Sequence, residues 1–167
     1  MTDTLHVRRA LLGNPDDAAA YRDMLNQYAS DPLGQGAPLT DSVLDRVLPD
    51  LHRHPCAVPF LAFWGEQAAG FATCFMGYST FKAAPLLNIH DIAVSAAFRR
   101  RGIARLLIET IAHEAGKMGC CRLTLEVRED NPAATALYRS CGFDVSMPGG
   151  QPVAYRFMER PLPAAGA

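Results

Sequence analysis

Long apolar runs are missing from this sequence. None approaches the ~20 residues a membrane-spanning helix needs, so no membrane association is expected. An excess of one charge is missing too, since 16 Lys and Arg face 17 Asp and Glu for a formal net charge of −1, which excludes a general polyanion binder. No aromatic residues are interleaved with the basic cluster, so no nucleic-acid partner is expected either. The opening "MTDTLHVRRALLG" lacks the charged-then-apolar layout of a secretory leader, and a cytoplasmic location is the expectation. The 5 cysteines form no CxxC pair, are odd in number and sit mostly in apolar stretches, which points to reduced thiols rather than disulfides. "HRHPC" alternates His52, His54 and Cys56, but a structural zinc needs four ligands at recognisable spacings, and no metal is expected.

What is present is an ordinary globular composition. With 167 residues, 49% of them hydrophobic, the chain has enough apolar material for one sizeable core, and a single domain over 1–167 is expected. The pattern at 5–13 predicts a strand ended by Gly13 and Pro15. A helix over 14–30 follows, with Asn14 as cap, Pro15 in the first turn, and Asp16 and Asp17 near the positive end of the dipole. After a Gly- and Pro-rich loop, 41–54 reads as an amphipathic helix that Pro49 should stop early or kink. Two apolar runs between 57 and 80, separated by "GEQAAG", predict a hairpin. Further strands are expected at 85–94, 121–127, 142–146 and 153–162, with helices at 103–118 and 131–141. The order β-α-α-β-β-β-α-β-α-β-β implies an α/β fold of three layers, a mixed β-sheet flanked by helices.

The chemistry concentrates where the strand "DIAV" (91–94) leads into "RRRGIA" (99–104) and then an amphipathic helix. A helix start leaves backbone N–H groups unpartnered and, with the dipole, attracts anions, phosphates above all. Gly102 has no Cβ and admits close approach to the main chain. Arg99, Arg100, Arg101 and Arg105 bring planar guanidinium donors to the same corner. The GKST ending of a P-loop and the three spaced glycines of a dinucleotide fingerprint are both absent, which leaves a different diphosphate as the ligand.

The stretch "RRRGIA" after an apolar-x-Val strand resembles the Arg/Gln-x-x-Gly-x-Gly/Ala signature of the GNAT superfamily of N-acetyltransferases. Downstream, "LEVREDNPAATALYRSCGF" (125–143) is similar to the strand–Asn–helix–Tyr–Gly-Phe segment of that superfamily. The resemblance covers about residues 60–160. It implies the GNAT acyl-CoA N-acyltransferase fold and acetyl-coenzyme A as co-substrate. Its diphosphate would lie on the amides from Arg100 through Gly102 and Ile103 to Ala104, its pantetheine arm would pair with Ile92, Ala93 and Val94, and Asn131 would hold the far end of that arm. Tyr138 would be the acid that protonates the departing thiolate, and a backbone N–H near Ile92 would meet the oxyanion.

An alkylamine with a pKa near ~10.4 is almost wholly protonated at neutral pH, so a base or water chain is needed as well. His90 and Asp91 are the candidates, adjacent residues that point to opposite faces if the strand is regular. "GYSTFKAAPLLNIHDIAV" is similar to diamine acetyltransferases of the superfamily, which carry a glutamate where His90 stands. The implied partner is a small-molecule amine, with a peptide or protein amine, or a coenzyme A sensor without turnover, as alternatives; residues 28–40 and 77–85 are expected to border the acceptor cleft, and the resemblance also implies a homodimer.

Overall fold

The computed structural model describes residues 4–145, 151–153 and 156–162. Five strands form one sheet in the order β1-β2-β3-β4-β5: Leu5–Arg9, Ala57–Trp64, Gln67–Ser79, Ala84–Val94 and Leu123–Leu125. The first four are antiparallel to their neighbours, and β5 runs parallel to β4. Helices α1 (Pro15–Ser30) and α2 (Asp41–Arg53) belong to one face, where Tyr21, Met24 and Leu48 pack against Leu61 and Phe71. Helix α3 (Ile103–Lys117) covers the other, burying Ile103, Leu107, Ile111 and Ala115 against Phe60, Ala72, Cys74 and Ile89. A fourth helix, α4 (Pro132–Ser140), follows β5. The three-layer mixed architecture expected from the element order is therefore the observed one.

Local chemistry accounts for where the elements start and stop. The Asn14 side chain accepts from the amides of Asp16 and Asp17, capping α1 as its position implies. β1 ends at Arg9 instead of reaching Gly13 because the Leu11 amide turns to the Asp17 carboxylate at 2.7 Å, which Arg8 also grips through two 2.6 Å contacts. The β2–β3 turn is only Gly65 and Glu66, with Gly65 at φ +61, so strand pairing resumes at Gln67, inside the stretch expected to be a turn. Helix α2 runs through Pro49 to Arg53. Losing one backbone bond and clashing with the preceding turn costs a helix interior about 3 kcal/mol. Burying two leucines such as Leu44 and Leu48 repays a comparable amount, at roughly 1.5–3 kcal/mol each.

The two strands expected at 142–146 and 153–162 are not found among the described residues. Residues 142–145, 153 and 156–162 carry no strand, while 146 and 154–155 lie outside the described residues. A strand needs a paired edge and a covered face. Here β5 offers a three-residue edge, and Phe157, Met158 and Leu162 are 72%, 86% and 79% exposed.

Candidate active site

β4 and β5 pair only over Leu87–Ile89 and Leu123–Leu125, so from His90 to Val94 the side of β4 that would face β5 is open. The register between β3 and β4 slips at the same place: Cys74 faces Ile89, Thr73 faces Asp91, and His90 has no partner. This bulge overturns the expectation of a regular strand. Asp91 shares a face with its cross-strand partner Thr73, on the α1 side where Tyr21 bonds Thr73 at 2.7 Å. The His90 ring lies on that face as well, edge-on to Phe75 with centroids 5.5 Å apart. Both candidate bases therefore serve one side of the sheet.

The opening beside β4 widens into a cavity of about 530 Å³. One end is walled by the start of α3 with Arg100, Gly102, Ile103, Ala104 and Arg105, and the middle by Ile92, Ala93 and Val94. His90, Tyr138, Tyr28, Leu33 and Glu126 line it further along, Asp31 lines it beside Arg99, and Asn131 and Arg128 complete the wall on the α4 side. Asp91 does not line this space; it sits half-buried behind the bulge, and Arg101 is not part of the wall either.

At the α3 end the geometry suits a diphosphate. The first backbone bond of the helix runs from Leu106 N–H to Gly102 O, so the amides of Ile103, Ala104 and Arg105 precede the ladder and have no helical acceptor. Gly102 has φ +80, and a Cβ built on it would meet no atom within 4 Å, so open space adjoins the main chain there. Arg100 is itself left-handed at φ +65, an uncommon conformation for a non-glycine residue that turns the chain into the helix start.

The four arginines divide their work. Arg99 binds Asp31 at 2.6 Å and the Val94 carbonyl at 3.2 Å. Arg101 lies over the rings of Trp64 and Phe98, at 5.0 and 5.6 Å from their centroids. Arg105 reaches the Ser140 carbonyl at 3.2 Å and its hydroxyl at 2.7 Å. Arg100 lines the cavity and hydrogen-bonds no other described side chain, so it is the guanidinium free to face an anion among the described residues.

At the other end, burial pushes the Tyr138 hydroxyl above its ordinary pKa, with the nearby Tyr28 adding to it, so Tyr138 remains a proton donor throughout the neutral range. Burial also raises Asp91, opposed by the neighbouring His90 and by the Thr73 hydroxyl. Asn131 caps α4 by accepting from Ala134 N–H at 3.1 Å, with Pro132 at the first helical position. His52, His54 and Cys56 do not converge. The His52 ring stands over Gly13, while His54 lies edge-on to Phe75 and accepts from the Cys56 amide.

Residues 20–143 match the Acetyltransferase (GNAT) family. The chain belongs to that family. Over 57 residues it is 46% identical to the [ribosomal protein bS18]-alanine N-acetyltransferase of Salmonella typhimurium, covering 34% of this chain and 38% of the relative. Over 79 residues it is 38% identical to the thialysine N-epsilon-acetyltransferase of Caenorhabditis elegans, covering 47% and 49%. The aligned part thus spans less than half the length of either relative. Among solved structures, an aminoglycoside N-acetyltransferase AAC(6')-Iy in complex with CoA superposes with a TM-score of 0.73 at 19% identity, covering 94% of this chain and 95% of that one. At that identity the likeness concerns the fold alone.

Tyr28, Asp31 and Leu33 of the cavity wall fall within the 28–40 stretch expected beside the acceptor, nothing from 77–85 lines it, and Glu126 is a wall residue that the sequence reading missed. Tyr28 was legible in principle, since Tyr21, Met24 and Tyr28 recur at helical spacing and the first two are buried. Glu126 was legible from strand alternation, two residues after Thr124, which faces Asn88 across β4. The pairing of Asp31 with Arg99 carried no sequence signal, because it depends on how the loop after α1 folds back.

Proposed function

We propose that this protein is an acetyl-coenzyme A-dependent N-acetyltransferase that acylates a primary amine of a small molecule by direct attack. The observation that carries the reading is the continuous cavity from the open start of α3, along the unpaired stretch of β4, to Tyr138 and His90. The co-substrate supplies an activated thioester. The amides of Ile103, Ala104 and Arg105, with the Arg100 side chain, hold its diphosphate. Ile92 and Ala93, on the side of β4 that β5 leaves unpaired, offer backbone to the pantetheine arm as an added strand would use it, Val94 lies beside them with its carbonyl held by Arg99, and Asn131 flanks the arm's far end. A backbone N–H near Ile92 faces the thioester oxygen as charge develops there.

The nitrogen–carbon bond forms as the carbon–sulfur bond breaks. Tyr138 gives its proton to the departing sulfur, and His90 or Asp91 takes the proton the amine loses, directly or through water. His90 lines the cavity, and Asp91 lies behind it with a raised pKa that brings a carboxylate closer to the working range of a base. Glu126 stands in the same wall as His90. A peptide N-terminus is the second reading of the acceptor, favoured by the alanine N-acetyltransferase likeness. No helix of the described residues is long and apolar enough to cross a membrane, and a cytoplasmic homodimer completes the proposal.

The test is thiol release from acetyl-coenzyme A across polyamines, aminoglycosides, amino acids and peptides. With a turned-over amine in hand, Tyr138→Phe is expected to lower kcat by about 100-fold or more while leaving co-substrate affinity intact. Unchanged turnover removes its acid role. His90→Ala, Asp91→Asn and Glu126→Gln, run over pH, assign the base to whichever shifts the acidic limb of kcat/KM.

A further inference from the structure

Arg99 stands first in the arginine cluster, yet its guanidinium is spent away from the helix start. Its Nε donates to the Val94 carbonyl at 3.2 Å, and its Nη2 donates to Asp31 Oδ2 at 2.6 Å, across 68 residues of sequence. Asp31 in turn organises the segment after α1. Its Oδ1 accepts from Leu33 N–H at 2.9 Å, and its carbonyl accepts from Gly34 and Gly36 at 2.8 and 3.2 Å. Gly34 is pressed onto the end of α1 so closely that a Cβ there would lie 2.1 Å from the Tyr28 carbonyl oxygen. Further hydrogen bonds return to α1, through Asn26 to Leu39 and through the Ala29 carbonyl to Gln35 and Ala37, and the Thr40 carbonyl accepts from Val43 and Leu44 as the segment enters α2. Among the described residues, the Arg99–Asp31 contact is the hydrogen bond that ties this segment to the turn between β4 and α3.

The pair also has a position. Asp31 and Arg99 line both the large cavity and a neighbouring one of about 320 Å³, so with Tyr28, Ala93 and Val94 they stand between the two, while Leu33 lines the large one. We propose that Arg99 is a positioning residue rather than a phosphate ligand: it straps the 31–40 segment over the acceptor end and links the order of that segment to occupancy of the α3 start. The coupling part of this proposal rests on the co-substrate reading above. A ligand seated on the amides of Ile103 to Arg105 stiffens the turn that carries Arg99, and through Asp31 it stiffens the wall that meets the amine. Linkage makes the effect reciprocal.

Coenzyme A binding by calorimetry and amide hydrogen exchange of the full chain test this together, on Arg99→Met and Asp31→Asn. The latter keeps an oxygen for Leu33 N–H and removes the charge. Both variants are expected to hold the Kd for coenzyme A within about twofold of the parent while exchange at Leu33, Gly34 and Gly36 quickens about two- to fivefold, the scale of an exposed ion pair. Coenzyme A should slow those three amides in the parent and not in the variants. A Kd raised about tenfold or more by Arg99→Met, as loss of a charged phosphate contact produces, overturns the assignment. Unaltered exchange in either variant overturns it as well. If the parent itself fails to bind coenzyme A, the co-substrate reading falls, and exchange in the free proteins still decides the strap.

Discussion

Tyr138 owes its setting to the turn that follows it. Phe143 N–H bonds the Tyr138 carbonyl and Gly142 N–H bonds that of Arg139, both at 3.0 Å, while the Phe143 ring packs against the tyrosine at 6.0 Å. The hydroxyl's direction is thereby governed by a helix ending, which the sequence displays as Tyr-x-x-x-Gly-Phe. Asp91 is the opposite case. Nothing in "NIHDIAV" announces a bulge, and both its burial and its company with Thr73 and Tyr21 follow from one extra residue in a strand register. Its raised pKa carries a stability consequence. A carboxyl whose folded pKa exceeds its unfolded one, near ~3.9, favours the fold in its protonated form and loses that contribution as pH rises through the folded value. Asp91→Asn is accordingly expected to gain thermal stability relative to the parent at neutral pH and to lose that advantage near about pH 3, below both values. Paired melting curves check the sign.

At the scale of elements, caps and periodicity made α1, α3 and α4 legible almost to their ends, because Asn14, Gly102, Asn131 and Gly142 act through backbone geometry within a few residues of themselves. Gly142 sits at φ +88, where an L side chain is strained, so Gly142→Ala is expected to cost about 1 kcal/mol in chemical denaturation. A parallel fall in kcat, with co-substrate affinity kept, would reflect the loosened Tyr138. Pro49 shows the limit of local rules, since a buried leucine face holds α2 together across a residue that should break it. The final strands show the same limit in the other direction. Their alternation is genuine, but a period of two says nothing about whether an edge is available to pair with.

For the whole molecule, the sheet is the frame, and its two faces are separately packed. Phe71 lies fully buried on the α1 and α2 face, edge-on to Tyr21 at 5.2 Å and near Tyr28 at 6.0 Å, so it joins the core to the acceptor end of the cavity. Phe71→Ala is expected to destabilise the fold by about 3–5 kcal/mol in urea titration, a large part of a domain's margin. The cavity exists because β5 pairs with β4 for only three residues before the two part. That parting opens backbone on β4, points it at the start of α3, and brings α4 across the gap.

The sequence by itself determined the layers and the helix starts, since each is written in spacings of one helical turn or one strand period or in a cap beside it. Only the tertiary structure decided which arginines are free, which face the bulged histidine and its neighbouring aspartate share, and that Asp31 meets Arg99. Those depend on contacts between residues far apart in the chain, and no local pattern encodes where two distant side chains will find each other.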